Sequence, residues 1–406
     1  MIPSQTGRFS FSGRLKWNLQ TNRLSLLLEE KRRQAAPILD LTESNPTAAG
    51  IDYPGDEILQ ALAQPSVLRY EPNAQGLPAA RQAVAEYYRQ RGAAVEPARI
   101  HLTVSTSEAY AYLFKLLTDP GQNVLVPQPS YPLFEFLAGF EGLELVPYHL
   151  VYDNKKENWR IDVDSVKAAI NRRTRAIIVV NPNNPTGSFI KRDELTTLID
   201  LCATQQLALI VDEVFSDYVL ASDPASVGTL VSVAEVPTFV LNGLSKMLGL
   251  PQMKLGWMVV NGPEPIRRQA QEYLDLIADT YLSVSTPIQH AAPVWLSLRP
   301  ILQGQIRDRI KKNFEFLQTQ MGGHSYCRLC RAEGGWYAVM ALPFLQHEEE
   351  FVLQLLERDE VLVHPGYFFD FAHAGFLVLS LLPALASFRE GVTRLLTRIQ
   401  KKFHME

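Results

Sequence analysis

The chain has 406 residues, of which 47% are apolar and 20% charged, and 39 Lys and Arg set against 43 Asp and Glu leave a formal charge of −4. That length exceeds one small module, and that composition excludes wholesale disorder because enough apolar surface is present to bury a core. No Lys/Arg block supplies an electrostatic footprint for nucleic acid or an anionic membrane face, so small molecules are the expected partners.

Three cysteines, Cys202, Cys327 and Cys330, are too few for a disulfide framework and point to a reducing, cytoplasmic setting. Cys327 and Cys330 form a CxxC in a connecting segment, but no second Cys or His pair sits at zinc-ligand spacing, so no metal site is expected. The N-terminal MIPSQTGRFSFSGRLKW has no apolar run behind its arginines. The late stretch Phe376 to Phe388 is broken by Pro383 and falls short of the about 20 residues a membrane span needs. Neither a signal peptide nor a membrane segment is expected.

In chain order, a helix is predicted near Arg23–Gln34, followed by an extended LDLTESNPT whose Asn45-Pro46 step is turn chemistry. Seven β-branched runs then recur: IHLTV (100–104), NVLVP (123–127), LELVPY (143–148), RAIIVV (175–180), LALIV (207–211), TFVL (238–241) and GWMVV (256–260). Stretches of helical periodicity, such as Ser107–Leu117 and Lys191–Gln205, separate most of them. Runs apolar on both faces with helical crossovers imply a mainly parallel, doubly covered sheet. Residues 264–321 read as long helices, after which Gly334–Leu342, Glu348–Arg358, Phe376–Leu382 and Phe388–Phe403 alternate strand, helix, strand, helix. The expected fold class is therefore α/β: a large domain over 51–283 with a seven-stranded, mainly parallel sheet, plus a smaller α+β domain built from both chain ends. Its parts are an N-terminal arm, 1–50, and the C-terminal segment 284–406.

In such a sheet ligands sit at the carboxyl ends of the strands, so the residues that follow each apolar run carry the functional signal. After IHLTV come Ser105, Thr106 and Ser107 at a helix start, where hydroxyls and free N–H groups make either a phosphate cradle or an ordinary cap. After RAIIVV comes NPNNPTG (181–187), a turn stiffened by two prolines with asparagine amides available to a ligand. After LALIV comes Asp212, an acid whose desolvation demands a cationic partner. After TFVL comes the loop holding Ser245 and Lys246, with Lys254 eight residues on. A phosphate cradle, an acid for a heteroaromatic nitrogen, an amide and an amine nucleophile together suit pyridoxal 5′-phosphate. Neither GxGxxG nor GxxxxGK[ST] follows a predicted strand, which disfavours a dinucleotide or P-loop site.

NPNNPTG (181–187), DEVFSDY (212–218) and SKMLGLPQMKLGW (245–257), supported by YEPNAQGLPAAR (70–81), DPGQNVLVPQPSY (119–131) and HPGYFF (364–369), occur in an order that resembles the class I/II aminotransferases, the aspartate aminotransferase-like enzymes of fold type I. The resemblance implies a transaminase exchanging an amino group between an amino donor and a keto acid. It makes Lys246 the Schiff-base lysine and acid–base catalyst, Asp212 the partner of the pyridine nitrogen and Asn184 the donor to the ring hydroxyl. It implies that Tyr131 stacks on the ring. Ser105, Thr106, Ser107, Ser245, Lys254 and, from the neighbouring subunit of a homodimer, Tyr70 would hold the phosphate.

Three positions depart from the family pattern. Lys254 stands where an arginine is usual, losing the bidentate fork. Phe215 replaces a tyrosine and removes a hydrogen bond to the ring hydroxyl. Val378 stands where an arginine usually holds the substrate carboxylate, which leaves a lyase or decarboxylase on the same scaffold as the alternative. Arg14, Arg23 and Arg389 are the substitutes the sequence offers, and Trp17, Tyr367, Phe368 and Phe369 suggest an apolar substrate pocket.

Overall fold

The computed structural model describes residues 11–15, 17, 20–282, 284–322 and 326–404. Its strands are β1 Leu39–Asp40, β2 Ile100–Thr103, β3 Asn123–Gln128, β4 Glu144–Asp153, β5 Asn158–Ile161, β6 Thr174–Val180, β7 Ala208–Asp212, β8 Thr238–Gly243, β9 Gly256–Asn261, β10 Arg328–Leu329, β11 Tyr337–Ala341, β12 Val361–Leu362, β13 His364–Pro365 and β14 Phe376–Ser380. Eight of them form one sheet in the order β2, β9, β8, β7, β6, β3, β4, β5. The pairs β8–β7, β7–β6, β6–β3 and β3–β4 are parallel, while β9 and β5 run against their neighbours.

All seven predicted strands are present in this sheet. The eighth, β5, was not expected: it is four residues long, contains Arg160, and owes its place to a hairpin return onto β4 with Tyr152 opposite Trp159. Packing explains the uninterrupted apolar runs. Along β6, Ile177 and Val179 enter one buried cluster while Ile178 and Val180 enter the other, and each such side chain contributes roughly 1.5–3 kcal/mol.

Beyond this sheet, β10, β11, β14 and β13 form an antiparallel sheet, and β1 pairs in parallel with β12, so the N-terminal segment returns to residues 361–362. The first ten residues of the predicted arm lie outside the described residues. Helices Glu264–Tyr281, Thr286–Ser297, Arg299–Met321, Glu348–Asp359 and Leu385–Phe403 occupy the segments with helical periodicity. The segment is more than a plain connection: between Cys327 and Cys330, both buried and free, Arg328 and Leu329 form β10 and pair with β11.

Candidate active site

Register brings the strand-end residues together. Val180, Asp212 and Leu241 are in line across β6, β7 and β8, and the Asn181 N–H donates to the Asp212 carbonyl at 2.8 Å. On the other flank, Thr103, Gly256 and Gly243 are in line across β2, β9 and β8. The pairing reaches one residue past the strands, where the Leu244 N–H donates to the Leu255 carbonyl at 2.9 Å, between Ser245 and Lys254. Predicted cradle, acid and amine thus share one sheet edge, although their sequence positions span well over a hundred residues.

Ser105 settles a choice the sequence left open. Its hydroxyl accepts from the Glu108 N–H at 3.2 Å, an ordinary cap of the helix Thr106–Leu117, while the N–H groups of Thr106 and Ser107 lie in the first turn and have no partner within the helix. The cap therefore leaves those two N–H groups without a helical partner. The β9 backbone presses against this turn: a Cβ on Gly256 would lie 3.0 Å from the Ser105 carbonyl carbon and 3.2 Å from the Thr106 nitrogen. Gly256→Ala is therefore expected to lower stability by about 1–3 kcal/mol through overpacking, read as a drop in melting temperature together with weaker coenzyme binding.

Asp212 is buried, with Oδ2 receiving the Tyr110 hydroxyl at 3.2 Å and Oδ1 the Val214 N–H at 3.1 Å. Burial pushes its carboxyl up to about 6. Lys246, on the short helix Leu244–Met247 that follows β8, is depressed below the usual amine range by burial. Its Nζ lies 5.9 Å from the Phe215 ring centre and 5.4 Å from that of Trp336. The amine thus meets two rings and the carboxyl a hydroxyl and an N–H, and they do not pair with each other. Asn184 is buried in the 181–187 turn with Oδ1 lacking a partner, and the Ser130 hydroxyl beside Tyr131 is likewise buried and unpaired. Such orphaned groups are rare without a ligand to satisfy them, and a phosphorylated pyridine aldehyde fits the set: acid for ring nitrogen, amide for hydroxyl, amine for aldehyde, N–H groups for phosphate.

The raised Asp212 carboxyl has a testable sign. A group whose folded pKa lies above its unfolded value lends stability that is complete below the ordinary carboxylate range and lost as pH rises through about 6. Coenzyme-free Asp212→Asn protein should accordingly exceed wild type by about 3 kcal/mol at pH 7.5 and match it near pH 4, as measured by denaturant unfolding at the two pH values.

Tyr131 is 49% exposed and so is not a core tyrosine. Its turn is anchored by the Ser130 N–H donating to the Phe369 carbonyl at 2.9 Å. Tyr70 is the exception to the cluster: it is exposed and lines a separate surface cleft with Asn73, Asp279 and Leu282. Lys254 is also exposed, in a left-handed conformation at φ 49°. Two contacts of the site were missed, Tyr110 and Trp336. Helical spacing could have found Tyr110, which lies one turn beyond Thr106 on the same face; nothing local marks Trp336.

None of the three arginines replaces a cation at Val378. Arg14 donates to the Phe140 carbonyl at 2.8 Å, Arg23 pairs with Glu350 at 2.6 Å, and Arg389 stacks on Phe316. Val378 is fully buried between Val339 and His364, and burial pushes His364 down to about 4, which keeps it neutral at pH 7. The aromatic set divides. Phe369 packs near Tyr337 at 6.1 Å, whereas Trp17 lies on the helix Leu133–Glu141 against Phe136 and Phe140.

An open α/β sheet carrying acid, amide, amine and phosphate-type cradle along one edge defines a coenzyme-dependent enzyme. The sequence model of the family "Aminotransferase class I and II" matches residues 36–398, and the chain belongs to that family. It is 30% identical over 387 residues to a glutamate-pyruvate aminotransferase of Haemophilus influenzae, covering 91% of this chain and 92% of that protein. An alanine aminotransferase of Mycobacterium tuberculosis is 28% identical over 369 residues, or 88% of this chain and 84% of that one. The structure of an alanine aminotransferase from Pyrococcus furiosus superposes with a TM-score of 0.85 at 26% identity, covering 97% of this chain and all of the other. The protein is a pyridoxal-phosphate-dependent transaminase that moves an amino group between an amino donor and a 2-oxo acid.

Proposed function

We propose that Lys246 anchors the coenzyme and moves the proton at the reacting carbon, with Asp212 holding the ring nitrogen protonated. One observation carries this reading: a buried acid pushed up at the end of β7 and a half-buried amine pushed down just past the end of the adjacent β8 stand without pairing. The acid lacks a cation, which a protonated heteroaromatic ring would supply, and the amine lacks a partner, which an aldehyde on that ring would supply. When bound, the coenzyme provides the electron sink that makes the substrate α-proton labile. The chain does the rest. Asn184 donates to the ring hydroxyl, and Phe215, which carries no hydroxyl, leaves that contact to it. Ser105, Thr106, Ser107, Ser245 and Lys254 hold the phosphate, and Tyr131 covers the ring. The amine of Lys246, in a weakly polar wall of Phe215 and Trp336, is neutral more easily than in water and so able to accept a proton.

Alanine and pyruvate are the proposed exchange couple, supported by the names of the relatives. The test is the half-reaction: L-alanine should convert the coenzyme to its pyridoxamine form and release pyruvate. Return of the aldehyde form with ammonia or carbon dioxide would instead favour lyase chemistry, the reading that Val378 keeps open. Isopropylamine reacting faster than L-alanine would refute the alanine assignment.

A cytoplasmic homodimer is also proposed. Leu68, Tyr70, Leu276 and Leu282 are all more than half exposed, an apolar set that a second copy would cover, and Tyr70 would then reach the partner's phosphate site. Sedimentation should give twice the chain mass, and Leu282→Asp combined with Leu68→Asp should halve it.

A further inference from the structure

The helix that carries Lys246 is four residues long, Leu244–Met247. So short a helix does not sustain itself, because nucleation is costly and its last carbonyls have little backbone support, that of Lys246 accepting a long Gly249 N–H bond at 3.3 Å. Side chains from three distant segments supply donors to it. The Tyr218 hydroxyl lies 2.8 Å from the Lys246 carbonyl and 3.0 Å from that of Met247, its one proton shared between them. Gln303 Nε2, from the helix Arg299–Met321, donates to the Met247 carbonyl at 3.1 Å. The Tyr53 hydroxyl donates to the Gly249 carbonyl at 2.6 Å. Tyr218 and Gln303 are both buried, so water does not substitute for them.

These donors are themselves held. Gln303 Oε1 accepts from Arg307 Nη2 at 3.0 Å, and Arg307 Nε donates to the Asp217 carbonyl at 3.0 Å, which closes a loop back to the residue before Tyr218. The Tyr218 ring meets Trp336 edge-on at 5.2 Å, and its carbonyl accepts the Gly335 N–H at 2.8 Å. Gly249, at φ +65°, is enclosed by Pro46, Ile306 and Tyr53.

We propose that Tyr218, Gln303 and Tyr53 are positioning residues that clamp the main chain of Lys246, keeping its amine in reach of the reacting carbon during the part of the cycle in which it is free of the coenzyme. The clamp rests on the reading of Lys246 as anchor and proton carrier. A lysine stem has four rotatable carbons, so once released only its backbone fixes the volume the amine samples. A displacement of about 1 Å can cost up to two orders of magnitude in rate. The clamp's donors meet the main-chain carbonyls of Lys246, Met247 and Gly249.

The test uses holoenzyme and Tyr218→Phe, which removes one oxygen and leaves the ring against Trp336. The variant should bind coenzyme stoichiometrically and remain borohydride-reducible. Its coenzyme absorbance band should titrate with a midpoint displaced by about half a pH unit or more, and the half-reaction with L-alanine should slow about tenfold, with a larger isotope effect for the α-deuterated amino acid. A wild-type midpoint and an unchanged isotope effect would overturn the clamp. If Tyr218→Phe does not fold, Tyr53→Phe, which loses only the Gly249 contact, is read the same way: displacement supports the proposal and its absence overturns it. A reducible adduct that survives Lys246→Ala would instead sink the underlying assignment, so the two failures are distinguishable.

Discussion

Lys246→Ala is expected to abolish the borohydride-reducible coenzyme adduct and to lower turnover on the order of 10⁴-fold, the upper end of what one positioned proton-transfer group contributes. The lysine sits on the short helix after β8 with its amine near the rings of Phe215 and Trp336, and no second lysine lies over those rings among the described residues. Added methylamine should restore part of the proton transfer without restoring the covalent link, because a small amine fits the volume the side chain vacates. Reduction, digestion and mass spectrometry give the decisive measurement. Persistence of the adduct in the variant would move the anchoring amine elsewhere.

Asp212→Asn is expected to retain coenzyme but to lose roughly 10²–10³-fold in turnover, the scale of removing one preorganised electrostatic contact. The amide can still meet the Tyr110 hydroxyl and the Val214 N–H, so the change acts on charge more than on packing. The pH dependence runs in a definite direction. With the empty-site carboxyl pushed up to about 6 by burial, wild-type coenzyme affinity should weaken as pH falls through that value, since a protonated acid cannot stabilise the ring cation. The asparagine variant should lack this limb. Equilibrium titration at pH 5, 6 and 7.5 separates the outcomes, and an identical limb in both proteins would show that another group controls binding.

Much of the site is readable along the chain because its chemistry is tied to strand ends. Asp212 closes an unbroken apolar run, so burial of the strand forces burial of the acid. Asn184 lies in a turn whose prolines restrict the backbone before any packing occurs. The CxxC shows the limit of the same logic: spacing excluded a zinc site, yet only pairing with β11 turned the segment into an edge strand. The eighth strand was hidden for a related reason, since a four-residue hairpin return is stabilised by its neighbour more than by its own composition.

Apolar periodicity and turn chemistry by themselves determined the strand positions, the parallel sheet and the grouping of Ser105, Asp212, Ser245 and Lys246 at its edge, because each depends on residues a few places apart. Only the tertiary structure decided what surrounds them. Tyr110 on Asp212, Trp336 beside Lys246, the donors Tyr53, Tyr218 and Gln303, and the diversion of Arg14, Arg23 and Arg389 to other partners join residues far apart in the chain. Such contacts are selected by how whole elements pack, and a hydroxyl or guanidinium carries no local mark of the distant carbonyl or ring it will meet.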